Sequence, residues 1–283
     1  MRVMVTGSTG QLGYDTSAYL RAQGAAILAA DRKELDLTDA ESVKAYVDAY
    51  RPDAVIHCAA YTAVDAAETE RTACELVNAS ATRTLAEICG KLGIKLVYIS
   101  TDYVFDGSGT EPHETDETPA PLNVYGRTKL AGEEAVRELC PKHFIVRTSW
   151  VFGAHGNSFV KTILRLAETK DEIKVVDDQI GSPTYTKDLA PLLGKMIKTC
   201  KYGTYHATNE GVCSFCEFAR EIVKEAGKDL TVLPTTTEEY GAKADRPRNS
   251  RLSKKSLDEA GFDRLPPWKD ALHRFLEETQ ATA

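Results

Sequence analysis

The chain has 283 residues, of which 42% are hydrophobic and 27% charged, with a formal net charge of −7. That is long enough to bury one large core with a smaller appendage. The negative balance argues against nucleic acid or an anionic membrane as partner, though a local Arg or Lys cluster can still bind an anionic small molecule. No apolar run approaches the roughly 18 residues of a transmembrane helix, and Met1-Arg2 leads straight into a strand-like run without a signal-peptide pattern, so a cytoplasmic protein is expected.

From the start to about residue 150, short apolar runs alternate with helix-like stretches. The expected strands are Arg2–Thr6, Ala26–Ala30, Ala54–His57, Leu96–Ser100 and Phe144–Thr148. The expected helices cover about 11–22, 39–50, 69–92 and 123–139, the second opened by a Thr38/Glu41 capping box. Strands that are apolar throughout suit a parallel sheet covered on both faces. The fold class is therefore α/β, a Rossmann-like doubly wound parallel sheet over residues 1–150, to which a helix at about 186–199 returns. Residues 151–185 and 200–283, with a helix at 158–169, a strand at 173–176 and the loop Asp178–Thr184, are expected to form a smaller α/β substrate lobe.

Gly7, Gly10 and Gly13 follow the first strand and open the first helix. Glycines there permit a tight turn and let a pyrophosphate approach the backbone at the helix N-terminus. Asp31 ends the second strand, where a carboxylate accepts from an adenosine ribose and favours NAD. Arg32 follows and can pair with a 2′-phosphate, which leaves NADP open.

Tyr125 and Lys129 sit four apart at the start of a helix that Asn123 can cap. As a bare pattern Tyr-x-x-x-Lys is weak, since 12 Tyr and 19 Lys give about one occurrence by chance. Its position carries the signal. Thr101 lies just past the carboxyl end of the fourth strand, where doubly wound sheets bind ligands. A threonine hydroxyl on a carbonyl oxygen, a tyrosine proton donor and a lysine that lowers the phenol's pKa are the parts of a ketone reduction.

Other features read more plainly. His57 is expected to be a packed strand-end residue. Cys213-x-x-Cys216 lacks a second pair and coincides with a Ser214/Glu217 capping box, so helix-start packing is expected. Seven cysteines at irregular spacing do not form a disulfide framework. Asp178 and Pro183 are expected to shape a loop over the substrate, and the acidic run 111–117 to be a solvated loop.

The segments T-G-S-T-G-Q-L-G, H-C-A-A-Y-T-A-V-D-A-A-E, Y-I-S-T-D-Y-V-F-D-G, N-V-Y-G-R-T-K-L-A-G-E, R-T-S-W-V-F-G, D-Q-I-G-S-P-T and R-P-R-N-S-R-L resemble the extended short-chain dehydrogenase/reductases. More narrowly, they are similar to the dTDP-4-dehydrorhamnose reductase family, across essentially the whole chain. The resemblance implies NAD(P)H-dependent reduction of the 4-keto group of dTDP-4-dehydro-β-L-rhamnose. It places Gly10, Gln11 and Leu12 on the cofactor phosphates, and Asp31 with Asp36 and Leu37 near the adenosine. Ala60, Tyr61 and Thr62 line the cofactor, and Lys129 holds the nicotinamide ribose. Thr101 and Asp102 touch the sugar, Tyr125 donates the proton, Trp150 meets the hexose and Arg246 the diphosphate. Some members carry Mg²⁺ on acidic residues at a homodimer interface; here Asp15 stands at the early position, with Glu277 and Glu278 near the end. No metal ligand is assigned. Nucleotide-sugar epimerases or dehydratases, and non-catalytic NADP-binding subunits, share parts of the pattern and stand as alternatives.

Overall fold

The computed structural model describes residues 1–281. Its centre is a six-stranded parallel sheet. In chain order the first half runs β1 (Arg2–Thr6), α1 (Gln11–Ala22), β2 (Ala26–Ala30), α2 (Ala40–Tyr50) and β3 (Ala54–His57). Two short helices, α3 (Val64–Ala67) and α4 (Arg71–Glu75), precede α5 (Ala81–Leu92), β4 (Lys95–Thr101), α6 (Val124–Leu139) and β5 (His143–Thr148). The sheet order is Gly203–His206, β5, β4, β3, β1, β2. Order reverses between β1 and β3, so their carboxyl ends open the crevice where such sheets take ligands.

Both sheet faces are sealed. Val3, Val5, Ile56, Val97 and Val146 pack under α1 and the helix Thr186–Met196, while Met4, Val55, Leu96, Tyr98 and Ile145 pack under α2, α5 and α6. The helix at 186–196 thus lies on the sheet, as expected for 186–199. A separate core around Phe152, Tyr185, Phe218, Trp268 and Phe275 holds the second lobe, and Cys213 and Cys216 are packed within it. Among the described residues no helix is long and apolar enough to cross a membrane.

Four expectations need correction. The sixth strand, Gly203–His206, pairs with β5, and Leu257, Phe262 and Leu265 join the first core, so not all of 200–283 belongs to the smaller lobe. Gly203 and Thr204 interrupt the apolar run that marks the other strands, which hid this one. The cap of α2 is Asp39, whose Oδ1 accepts from the Glu41 and Ser42 amides at 3.1 and 3.2 Å, while Thr38 gives its hydroxyl to Asp36. A carboxylate reaches those two N–H groups from one residue later than a capping box requires. The helix expected at 69–92 contains a π turn, Leu76–Ser80, between α4 and α5. The acidic run is also less open than expected: His113 is buried, bonded to Glu117 at 2.8 Å and stacked on Phe105 with ring centroids 4.4 Å apart.

Candidate active site

The glycine turn is built for close approach. Gly7 has φ +64°, and a Cβ on it would lie 2.8 Å from the Ala59 backbone beyond β3. A Cβ on Gly13 would lie 2.2 Å from the Gly7 carbonyl oxygen, so only glycine lets α1 start this close to β1. Gly10 caps α1 in an extended conformation with no side chain over the first N–H groups. Those groups and the helix dipole make an anion site. Gln11 adds a buried Oε1 with no hydrogen-bond partner, and Leu12 is buried behind the turn. The cradle fits a dinucleotide.

At the end of β2, Asp31 Oδ1 accepts from the Lys33 and Glu34 amides at 2.7 and 3.2 Å. The carboxylate therefore also shapes the turn that follows, a use the spacing did not reveal. Arg32 is exposed beside it, Asp36 is exposed and bonded to Thr38, and Leu37 is half-buried against the second face of the sheet. Beyond β3, Ala60 and Tyr61 are half-buried and Thr62 is exposed.

That loop is held by a residue the sequence reading missed. Asn78, in the π turn and buried, accepts from the Tyr61 amide at 2.8 Å and donates to the Tyr61 carbonyl at 3.0 Å and to Thr128 Oγ1 at 3.1 Å. A π turn displaces the side chains that follow it, and such turns cluster at functional sites. The only cue in the sequence is a polar residue in an otherwise helical apolar stretch.

Asn123 caps α6, accepting from the Gly126 amide at 2.8 Å, and this brings Tyr125 and Lys129 onto the face that meets β4. Tyr125 is half-buried, and the Thr101 side chain acts on its phenol to oppose the upward push of burial. Thr101 in turn donates to Asp102 Oδ1 at 2.9 Å and accepts from the Tyr103 amide. Burial pushes the Asp102 carboxyl up to about 6, against the opposing pull of the Ser250 and Thr101 hydroxyls. Lys129 is buried; its Nζ donates to the Ile99 carbonyl at 2.7 Å and lies 4.1 Å from the Tyr98 ring centroid. Burial pushes its ammonium down to about 7, while Glu133, one turn further along α6, pulls it back up.

One electrostatic expectation fails in this arrangement. Tyr125 is not pulled down toward neutral pH: desolvation raises its phenol, and only the Thr101 hydrogen bond opposes that. Burial also disfavours the Lys129 ammonium, whose Nζ is directed at the Ile99 carbonyl. His57 fits its structural reading, with Nδ1 2.7 Å from Thr6 Oγ1, Nε2 3.1 Å from Thr82 Oγ1, and burial pushing it down to about 3.

The second lobe closes the crevice. Trp150 has φ +48°, an uncommon conformation for a bulky residue, and stacks on Phe215 with ring centroids 3.7 Å apart. Gly181, in the loop Asp178–Thr184, lies under the indole so closely that a Cβ would be 2.9 Å from it. Asp178 pins that loop by accepting from the Thr237 amide and hydroxyl at 2.9 and 2.7 Å. Arg246 does not stand alone: its NH2 is 2.8 Å from Asp65 Oδ2.

Within this chain, the acids that the resemblance linked to Mg²⁺ are engaged by other side chains. Asp15 is buried against Thr186, whose hydroxyl it accepts, and burial raises its carboxyl. Glu278 is engaged by Lys187 at 2.7 Å and by the Tyr185 hydroxyl, and Glu277 faces His273 at 3.3 Å. Among the described residues no group of three or more His, Cys, Asp or Glu could hold a metal ion.

A glycine cradle at a sheet switch point, followed by a Thr/Tyr/Lys set on β4 and α6, defines a Rossmann-like reductase of the short-chain dehydrogenase/reductase type. The family model described as RmlD substrate binding domain matches residues 1–281, and the chain belongs to that family. It is 43% identical over 277 residues to the spore coat polysaccharide biosynthesis protein SpsK of Bacillus subtilis, covering 98% of this chain and 97% of that one. It is 42% identical to the dTDP-4-dehydrorhamnose reductase of Streptomyces griseus, covering 96% and 91%. The crystal structure of dTDP-4-dehydrorhamnose reductase from Bacillus anthracis in complex with NADP superposes with a TM-score of 0.96 at 48% identity, covering 98% and 99%.

Proposed function

We propose that the protein is a dTDP-4-dehydrorhamnose reductase, reducing the 4-keto group of dTDP-4-dehydro-β-L-rhamnose to give dTDP-β-L-rhamnose, a step toward rhamnose-bearing surface polysaccharide. The observation that carries this reading is the grouping of Thr101, at the carboxyl end of β4, with Tyr125 and Lys129 on the capped first turns of α6, at the same sheet edge as the glycine cradle. The full-length likeness to reductases of that name supports the substrate.

The glycine turn, Gln11, Leu12, Asp31, Arg32, Asp36, Leu37, Ala60, Tyr61 and Thr62 would hold NADPH or NADH. When bound, that cofactor supplies the hydride. The protein's own share is the proton and the geometry. The Thr101 hydroxyl, turning its proton from Asp102 to the substrate, orients the ketone oxygen, and Tyr125 gives it a proton as negative charge develops there. A phenol whose pKa is raised keeps its proton until the alkoxide, a far stronger base, forms beside it. Lys129 holds the nicotinamide ribose. Asp102 and Trp150 contact the hexose and Arg246 the diphosphate.

The test offers purified protein dTDP-4-dehydro-L-rhamnose with NADPH and NADH separately, following cofactor oxidation and dTDP-L-rhamnose formation. No oxidation with either cofactor, where a known reductase works, overturns the assignment. Tyr125→Phe should lower kcat about 10²- to 10⁴-fold while leaving cofactor affinity intact. A non-catalytic binding subunit would keep its function in that variant, and an epimerase or dehydratase would consume no external reduced cofactor.

A further inference from the structure

Asp65, on α3, and Arg246 lie 181 positions apart and meet as a two-pronged pair. Arg246 NH1 donates to Asp65 Oδ1 at 3.1 Å and NH2 to Oδ2 at 2.8 Å. The same Oδ1 accepts from the Ala244 amide at 3.1 Å, and NH1 also donates to the Ala244 carbonyl at 3.1 Å. Three of the five guanidinium N–H groups are thus directed into the protein.

The strap that carries Arg246 is bound to the frame of Tyr125. The Asp245 carbonyl accepts from Asn123 Nδ2 at 2.7 Å, and Asn123 is the cap of α6. Glu68, just past α3, accepts from the Val124 amide at 2.8 Å in the first turn of the same helix. Pro247 presses on the loop after β4 so tightly that a Cβ on Gly107 would lie 2.4 Å from it. Tyr103, whose phenol feels the Arg246 charge, meets the Tyr125 ring edge-on, with centroids 5.7 Å apart.

We propose that Asp65 is a positioning residue for substrate: its carboxylate aligns Arg246 and the strap Ala244–Pro247 against the start of α6. The arginine then meets the diphosphate of the nucleotide sugar at a set distance from Tyr125. This rests on the reading of Arg246 as the diphosphate contact. A long arginine side chain held in advance loses less freedom when it binds, so the pair strengthens binding without touching the ligand. The Asp65 side chain is 47% exposed, so its removal leaves the core intact.

The experiment compares wild type, Asp65→Asn, Asp65→Glu, Arg246→Lys and the double variant Asp65→Asn/Arg246→Lys as full-length, NADPH-saturated protein. Calorimetric titration with dTDP gives affinity without turnover, and steady-state assays give KM and kcat. Asp65→Asn should raise the dTDP Kd and the sugar-nucleotide KM about tenfold, with kcat within about twofold and NADPH affinity unchanged. Asp65→Glu should recover part of the loss, and the double variant should be little worse than Arg246→Lys alone, as expected of residues acting through one another. Unchanged dTDP affinity in Asp65→Asn, or tighter binding because the carboxylate competes with the phosphates, overturns the proposal. Weakened dTDP binding in a protein that reduces no 4-keto sugar would sink the activity and leave the positioning standing. Full activity with unaltered binding in Asp65→Asn would do the reverse.

Discussion

Arg147 of β5 lies against Glu133 of α6 with Nε 2.8 Å from Oε1 and NH2 2.8 Å from Oε2, both side chains essentially sealed from solvent. Ser100 at the end of β4 donates to the same carboxylate at 2.6 Å, and Arg137 adds a fourth bond at 2.6 Å. Glu133 is one turn beyond Lys129, which is one turn beyond Tyr125, so this knot ties the proposed reacting face of α6 to the two strands beneath it.

Cutting one side of the knot leaves an uncompensated buried charge, which costs about 3–5 kcal/mol. Arg147→Met should therefore lower the unfolding free energy by that amount in urea denaturation, and the double variant Glu133→Leu/Arg147→Met by less than the two single losses combined. A loss below about 1 kcal/mol for Arg147→Met would show the carboxylate to be satisfied without it.

Asp102 should trade stability against activity in a pH-dependent way. Its folded pKa of about 6 lies above the ordinary 3.8, so the stability it contributes is complete below about pH 4 and is lost as pH rises through 6. Asp102→Asn, which stays neutral, should gain stability relative to wild type across that window and hold the gain above it, while its turnover falls. Thermal melts of both proteins between pH 4 and 8 decide the matter; a constant difference contradicts the shift.

Arg32 is exposed at the end of β2, beside the proposed adenosine site. If it pairs with a 2′-phosphate, Arg32→Ala should raise KM for NADPH about tenfold and leave KM for NADH within about twofold. Equal effects on the two cofactors would remove Arg32 from that role.

Chelation should be without effect. Glu278 is held by Lys187 and Asp15 by Thr186, so dialysis against EDTA should change neither turnover nor melting temperature. Activity that is lost on chelation and restored by Mg²⁺ would mean that these pairs open.

The Rossmann half was legible because its strands are uninterrupted apolar runs between glycine, cap and helix signals, a pattern that depends only on near neighbours. The same holds for the capped start of α6, which announces Tyr125 and Lys129 together. What stayed hidden depends on partners far away in sequence. Gly203–His206 reads as a loop until β5 is beside it, Arg147 as one more charge until Glu133 faces it, and Asp65 as a surface acid until Arg246 arrives. The π turn that aims Asn78 carries no local signature beyond that one polar residue. Lys129 was legible from its spacing to Tyr125, but no spacing shows how deeply both are buried or that Lys129 is aimed at the Ile99 carbonyl.

The sixth strand also has a bearing on synthesis. β5 ends at Thr148, whereas its outer neighbour begins only at Gly203, after most of the second lobe's first pass has been made. On the ribosome, the Phe144–Val146 stretch must wait with one row of backbone donors and acceptors uncovered, an open template for pairing with another chain. Nascent chains stopped between these two points should be the ones that need a chaperone.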